Sequence, residues 1–110
     1  MRLARLLLLI TVLCGCSHEA TVPAGPYFPR VKSIIADHCL SCHSANGTWQ
    51  GRPTAFDTDE QIVAAAANIK ATTSDPVSPT NPRMPQSGML TDQEIAIIVA
   101  WFKAGGRATD

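Results

Sequence analysis

Two cysteines and a histidine stand close together in the run Cys39-Leu40-Ser41-Cys42-His43. Thiols three residues apart lie on one side of a helical turn, where each can form a thioether with one vinyl group of a haem. The residue that follows the second cysteine then brings its imidazole to the iron. The motif therefore predicts one covalent haem c, attached through Cys39 and Cys42, with His43 as the proximal iron ligand.

A C-x-x-C pair also occurs in dithiol redox enzymes and in zinc sites. A redox dithiol is expected in a strand-rich βαβ setting, and no convincing strand pattern surrounds this pair. A structural zinc site needs four ligands, usually as two separated pairs, and the histidines outside the motif are only His18 and His38. Covalent haem is the favoured interpretation, and a structural or redox dithiol is the alternative.

The first fifteen residues have the pattern of an export signal. Arg2 and Arg5 form a basic start, and the apolar run that follows, residues 6–13, is shorter than the about 20 residues of a membrane-spanning helix. The run Leu13-Cys14-Gly15-Cys16 resembles the lipobox of bacterial lipoproteins, which implies lipidation of Cys16. Cleavage by an ordinary signal peptidase and an uncleaved anchor are the alternatives.

We divide the chain into a lipoprotein-type signal peptide (1–15), a flexible tether (16–27) and a folded domain (28–110). The tether is polar, rich in Pro and Gly and without helical periodicity. Loss of the signal leaves two more acidic than basic residues, so the mature chain lacks the basic surface expected of a nucleic-acid-binding protein. Its six aromatic residues make a thin core, and we expect the chain to fold poorly without haem.

Apolar periodicity predicts three helices in the domain. The first covers residues 29–38 and runs into the motif. For His38, a role as a surface or interhelix hydrogen-bonding residue is favoured over iron ligation, because its ring should point away from the distal face of the iron. The second begins at a capping box of Thr58 and Gln61 and ends at Lys70, and the third follows a capping box of Thr91 and Glu94 and ends at Gly105. The expected apolar stripe of the third consists of Ile95, Ile98, Val99 and Phe102, with Trp101 beside it as a helix-packing residue.

Residues 72–85, rich in Thr, Ser and Pro, are predicted to contain neither helix nor strand. They include the run Asn81-Pro82-Arg83-Met84-Pro85. Proline fixes its own φ and restricts the residue before it, so Met84 lies on stiff backbone suited to presenting a thioether to iron. We therefore favour Met84 over Met89 as the distal iron ligand.

Taken together, these features resemble class I cytochromes c over residues 28–106. The shared features are a helix entering C-x-x-C-H, a late proline-flanked methionine and a last helix with an aromatic residue. The resemblance implies an all-α, small cytochrome c fold of three to four helices wrapped around the haem, with Cys39 and Cys42 covalently bound, His43 proximal and Met84 distal. Residues 44–56 lack a strong family signature, and the chain has no second haem motif.

The same resemblance suggests secondary roles around the haem. Pro53 follows the motif at about the position where the family uses a proline carbonyl to hold the proximal imidazole. Trp49, Arg52 and Arg83 are candidates to bond or neutralise the propionates. Solvated or packing roles remain open for all of them.

An iron with two protein ligands has no open position for a substrate, so His43 and Met84 together predict an electron carrier rather than an enzyme. We expect redox protein partners, no small-molecule substrate, no nucleic acid, and a membrane contact through the N-terminal lipid in the bacterial periplasmic space. A soluble periplasmic form is the alternative location. The alternative functions are a five-coordinate haem module, peroxidase-like or gas-sensing, and a non-catalytic haem-stabilised subunit of a larger redox complex.

Overall fold

The computed structural model describes residue 15, residues 20–48 and residues 54–110. Four helices follow one another in these ranges: α1 (Phe28–His38), α2 (Asp59–Ala64), α3 (Ala66–Ser74) and α4 (Asp92–Ala104). The described residues contain no strand, and one isolated bridge pairs Ser78 with Asn81. The prediction of an all-α fold with three to four helices is confirmed in this part of the chain.

Several sequence predictions fall outside the described ranges. They concern the candidate lipid site Cys16 with its neighbour Cys14, the tether residue His18, and the proposed haem neighbours Trp49, Arg52 and Pro53. Among the helices that are described, none is both long enough and apolar enough to span a bilayer.

The start of α1 is held by the other end of the domain. Its N-cap residue, Tyr27, makes no side-chain capping bond. Instead, the backbone N–H groups of Tyr27 and Phe28 both donate to the carbonyl of Asp110, each at 2.8 Å. Pro29 lies in the first turn, where a missing N–H leaves no bond unmade. Residues far apart in sequence thus satisfy donors that a helix start leaves unpaired.

The predicted second helix is two helices in the structure. The capping box of Thr58 and Gln61 forms as expected and starts α2. The helix then breaks at Ala65, whose φ of −95° and ψ of 7° are not helical, although alanine is the strongest helix former. Helical spacing in the sequence predicts one apolar face of Ile62, Ala65, Ala66 and Ile69. Ile62, Ala66 and Ile69 are buried, and Ala65 is only partly buried. We attribute the break to packing, because no local sequence signal calls for it.

The prediction that residues 72–74 are not helical is wrong, since α3 continues to Ser74. The hydroxyls of Thr72, Thr73 and Ser74 donate to the backbone carbonyls four residues earlier, at 2.7, 2.7 and 2.6 Å. Such back-bonding satisfies short polar side chains inside a helix. It allows Thr73, which is 6% exposed, to lie in the core without an unpaired hydroxyl.

The last helix begins and ends as predicted. Thr91 and Glu94 form the capping box, and Gly105 and Gly106 end the helix with φ values of 137° and 66°, which favour glycine. Its buried face is rotated from the predicted stripe. It consists of Ile97, Ile98 and Trp101, while Phe102, expected inside, is 37% exposed.

The core lies where α1 and α3 pack on α4. Trp101 is completely buried, its ring centroid lies 5.7 Å from that of Phe28, and its indole N–H donates to the carbonyl of Arg107 at 2.9 Å. The predicted role of Trp101 in helix packing is confirmed. Because this contact joins α4 to the start of α1, it also sets the position of the haem motif at the other end of α1.

Replacing Trp101 with alanine should cost about 3–5 kcal/mol of unfolding free energy, the range for large aromatic residues removed from a core. The matched control is its neighbour: Phe102→Ala should cost about 1 kcal/mol or less because that ring is already partly exposed. Denaturant titration of the haem-containing protein, followed by circular dichroism, measures both. Equal losses would contradict the packing described for α4.

Candidate functional site

The C-x-x-C-H motif forms a tight turn directly after α1. The N–H of Cys39 still donates to the carbonyl of Ile35, and the N–H of His43 donates to the carbonyl of Cys39 at 2.8 Å. Cys39, Cys42 and His43 are all partly buried. The turn therefore attaches both sulfur atoms and the imidazole to the rigid end of one helix.

The environment of the Cys39 thiol is unlike that of a redox-active cysteine. Burial, and secondarily the neighbouring Cys42, raise the pKa of the Cys39 thiol to about 11. Both cysteines also follow the C-terminal end of a helix, where the backbone dipole opposes negative charge. Reactive dithiols depend on a lowered pKa, so this environment disfavours the redox alternative.

The ring of His43 is held on two sides by residues 54–56. Nδ1 lies 2.9 Å from the carbonyl oxygen of Thr54, and a carbonyl can only accept, so Nδ1 donates this hydrogen bond. The ring of Phe56 packs on the imidazole at 5.1 Å between centroids, and the N–H of Phe56 donates to the carbonyl of His43. Among the described residues, Thr54 supplies a carbonyl that orients the imidazole. Pro53, from which we expected such a carbonyl, lies outside the described residues.

Thr54 and Phe56 were not identified from the sequence. They stand in the stretch without a family signature, and neither belongs to a periodic segment. Only the closure of the chain back onto the haem motif brings them to His43, and the bond from the N–H of Ala45 to a carboxylate oxygen of Asp57 at 2.9 Å supports that closure.

Met84 reaches the same region from the opposite half of the domain. Its N–H donates to the carbonyl of Thr72 near the end of α3, at 3.0 Å, and its side chain is partly buried. Met89, the competing candidate, is 89% exposed. Met84, and not Met89, lines the same cavity as Cys39, Cys42 and His43.

Between these elements lies a cavity of about 510 Å³, a size typical of cofactor pockets. Its lining contains both motif cysteines, His43 and Met84, together with buried core side chains from each surrounding helix or loop. The apolar part of the lining is formed by Ile35, Phe56, Ile69, Leu90 and Ile98. Two thiols, an imidazole and a thioether on largely apolar walls are the donor set and environment that a covalent haem requires, so the residues present fit haem c.

His38 borders the cavity but is engaged elsewhere. Its Nε2 lies 2.9 Å from a carboxylate oxygen of Glu94 on α4, which confirms the predicted interhelix role. The backbone N–H of Thr91, and then His38, lower the pKa of Glu94. Glu94 therefore links the cap of α4 to the end of α1.

Arg83 does not line this cavity. Its guanidinium donates to the carbonyls of Thr72 and Asp75 at 3.2 and 2.7 Å. The structure thus gives no support to the proposed contact of Arg83 with a propionate.

Gly47 lies so close to the backbone of Cys42 that any residue with a Cβ atom would force the chain there to move. A Cβ atom there would collide with the backbone carbonyl of Cys42. Gly47→Ala should therefore displace the motif turn and lower the thermal unfolding midpoint of the haem-containing protein by several degrees, about the effect of 1–2 kcal/mol in a domain of this size.

Gly88→Ala is the control for that substitution, because a Cβ at Gly88 meets nothing within 4 Å. It should be neutral or slightly stabilising, since alanine restricts the unfolded chain. Equal thermal unfolding midpoints for the Gly47→Ala and Gly88→Ala proteins would contradict the described turn.

The comparison with known families agrees with this geometry. The family model for cytochrome c matches residues 29–105, from the first turn of α1 to the end of α4. No curated protein and no solved structure matches the chain. The matched segment contains the motif turn, the Met84 loop and all four helices. The chain therefore belongs to the cytochrome c family, whose members bind a covalent haem c and carry electrons.

Proposed function

We propose that this protein is a monohaem electron carrier at the bacterial cell envelope, with its iron ligated by His43 and Met84. Cys39 and Cys42 hold the haem covalently, and a lipid on Cys16 holds the protein at a membrane. Its partners are other redox proteins, and it has no small-molecule substrate.

One observation carries the axial ligation: His43 and Met84 line the same cavity and each is fixed by a backbone carbonyl. The carbonyl of Thr54 accepts from Nδ1 and so orients the imidazole in the lining of the cavity. The carbonyl of Thr72 holds the backbone of Met84. These bonds restrict the imidazole ring of His43 and the backbone of Met84 before any metal is present, which lowers part of the entropic cost of ligation.

The haem, when bound, supplies an iron that alternates between the ferrous and ferric states. A histidine and a methionine as axial ligands favour the ferrous form, raise the potential and leave no position for a substrate. The protein would then contribute a largely apolar surrounding and two ligands, as an electron carrier requires. This arrangement disfavours the five-coordinate alternative.

The described part of the predicted tether adds a constraint on the membrane-bound form. The carbonyls of Thr21 and Ala24 accept hydrogen bonds from the side chains of Gln93 and Arg30, so the tether is bound to the domain from Thr21 onward. A chain from Cys16 to Thr21 spans at most about 18 Å in any conformation. A lipid on Cys16 would therefore keep the domain close to the membrane surface, which favours redox partners in the same membrane.

Met84→Ala tests the axial ligation. The ferric protein, produced with haem-attachment machinery, should show the weak absorption band of methionine-to-iron charge transfer, and this substitution should abolish it. Met89→Ala, which alters an exposed methionine, should leave the band unchanged. A five-coordinate spectrum in the unmodified protein would overturn the electron-carrier proposal and redirect attention to peroxide and gas ligands.

Cys16→Ser tests the lipid anchor. The unmodified protein should sediment with membranes, and the variant should appear in the soluble fraction because one acyl-bearing residue supplies its attachment. Cys14→Ser, two residues away in the signal, should still sediment with membranes. Soluble protein in all three preparations would instead support cleavage by an ordinary signal peptidase.

A further inference from the structure

The chain between α3 and Met84 folds back onto the end of α3. Carbonyls at and beyond the end of a helix can accept hydrogen bonds from other parts of the chain. Here the side chain of Asn81 donates from one amide nitrogen to the carbonyls of Ala71 and Pro76, at 3.0 and 3.1 Å. The loop that carries Met84 is thus bound to α3 three residues before the methionine.

Arg83 makes a second attachment next to the methionine. One guanidinium nitrogen donates to the carbonyl of Thr72 at 3.2 Å and another to that of Asp75 at 2.7 Å. The positive charge also faces the negative end of the α3 dipole. The planar guanidinium can bind two carbonyls at once, which a lysine ammonium on its flexible stem does less well.

The carbonyl of Thr72 accepts two of the hydrogen bonds that attach the Met84 loop to α3. It accepts from Arg83 and, at 3.0 Å, from the N–H of Met84 itself. The position of the Met84 backbone is therefore tied to α3 by three polar groups in addition to its flanking prolines. Proline restricts the conformation of a loop, but it cannot hold that loop against another element.

We propose that Asn81 and Arg83 are positioning residues that keep the Met84 thioether at the iron by attaching its loop to the C-terminal end of α3. This inference rests on the proposed function, in which Met84 is the distal ligand. When the attachment is weakened, Met84 spends a larger fraction of time away from the iron. An added ligand then binds with an apparent affinity that rises with that fraction.

Imidazole titration of the ferric haem-containing protein measures this fraction. Arg83→Ala should increase the apparent imidazole affinity about tenfold, roughly 1.4 kcal/mol, close to the lower end of the range for hydrogen bonds to a charged group. Asn81→Asp, which replaces the donating amide by an acceptor of the same shape, should increase it by a similar factor. Arg83→Lys should lie between Arg83→Ala and the unmodified protein.

Arg30→Ala is the matched control, because Arg30 also donates from its guanidinium to a backbone carbonyl, that of Ala24 at 3.3 Å. It should change the imidazole affinity less than about twofold. Denaturant unfolding of the same variants separates local from global effects. A merely structural role for Arg83 would move the unfolding midpoint but not the imidazole affinity.

Met84→Ala distinguishes this inference from the proposed function. If it binds imidazole much more tightly than the unmodified protein, while Arg83→Ala and Asn81→Asp do not, the attachment proposal is overturned and methionine ligation stands. Met84 is not a ligand if Met84→Ala leaves the imidazole affinity unchanged and the unmodified protein lacks the charge-transfer band. Both proposals then fail.

Discussion

The contact of α4 with α1 is the constraint on which the rest of the domain depends. Trp101 is completely buried and packs against Phe28, and its indole N–H donates a hydrogen bond to the carbonyl of Arg107. The carbonyl of Asp110 meanwhile caps the start of α1. Once α1 is fixed at its N-terminal end, the C-x-x-C-H turn at its other end has a defined place. The position of the haem site therefore depends on a helix-packing contact that lies outside the site.

Both candidate iron ligands are then positioned by backbone carbonyls. The carbonyl of Thr54 orients His43, and the carbonyl of Thr72 binds the N–H of Met84. Carbonyls are suited to this because their place follows from the main-chain path and not from a rotamer. The cavity between the two ligands also borders core residues such as Ile35 and Ile98. A haem in this cavity would therefore complete the core, which gives a physical reason to expect a poorly folded chain without haem.

Local signals in the sequence predicted the helix boundaries where capping is strong. The boxes at Thr58 and Thr91 form as expected, and Gly105 ends the last helix. The break at Ala65 and the helical Thr73 were not predictable, because alanine favours helix and threonine disfavours it. The outcome in both places depends on packing and on hydroxyl bonds inside α3. The rotation of α4 that exposes Phe102 has the same origin, since a periodic apolar run leaves more than one face available for burial.

The sequence by itself determined the chemistry, because the spacing of Cys39, Cys42 and His43 limits what the motif can bind. It also singled out Met84 through its flanking prolines. Only the tertiary structure decided what holds those groups: Thr54 at the imidazole, and the end of α3 at the methionine loop. The reason is that a covalent motif is local and readable at fixed spacing. A supporting carbonyl can come from any residue whose backbone oxygen the folded chain brings within about 3 Å of the donor nitrogen. Because every residue type has a backbone carbonyl, no sequence pattern identifies the residue that supplies it.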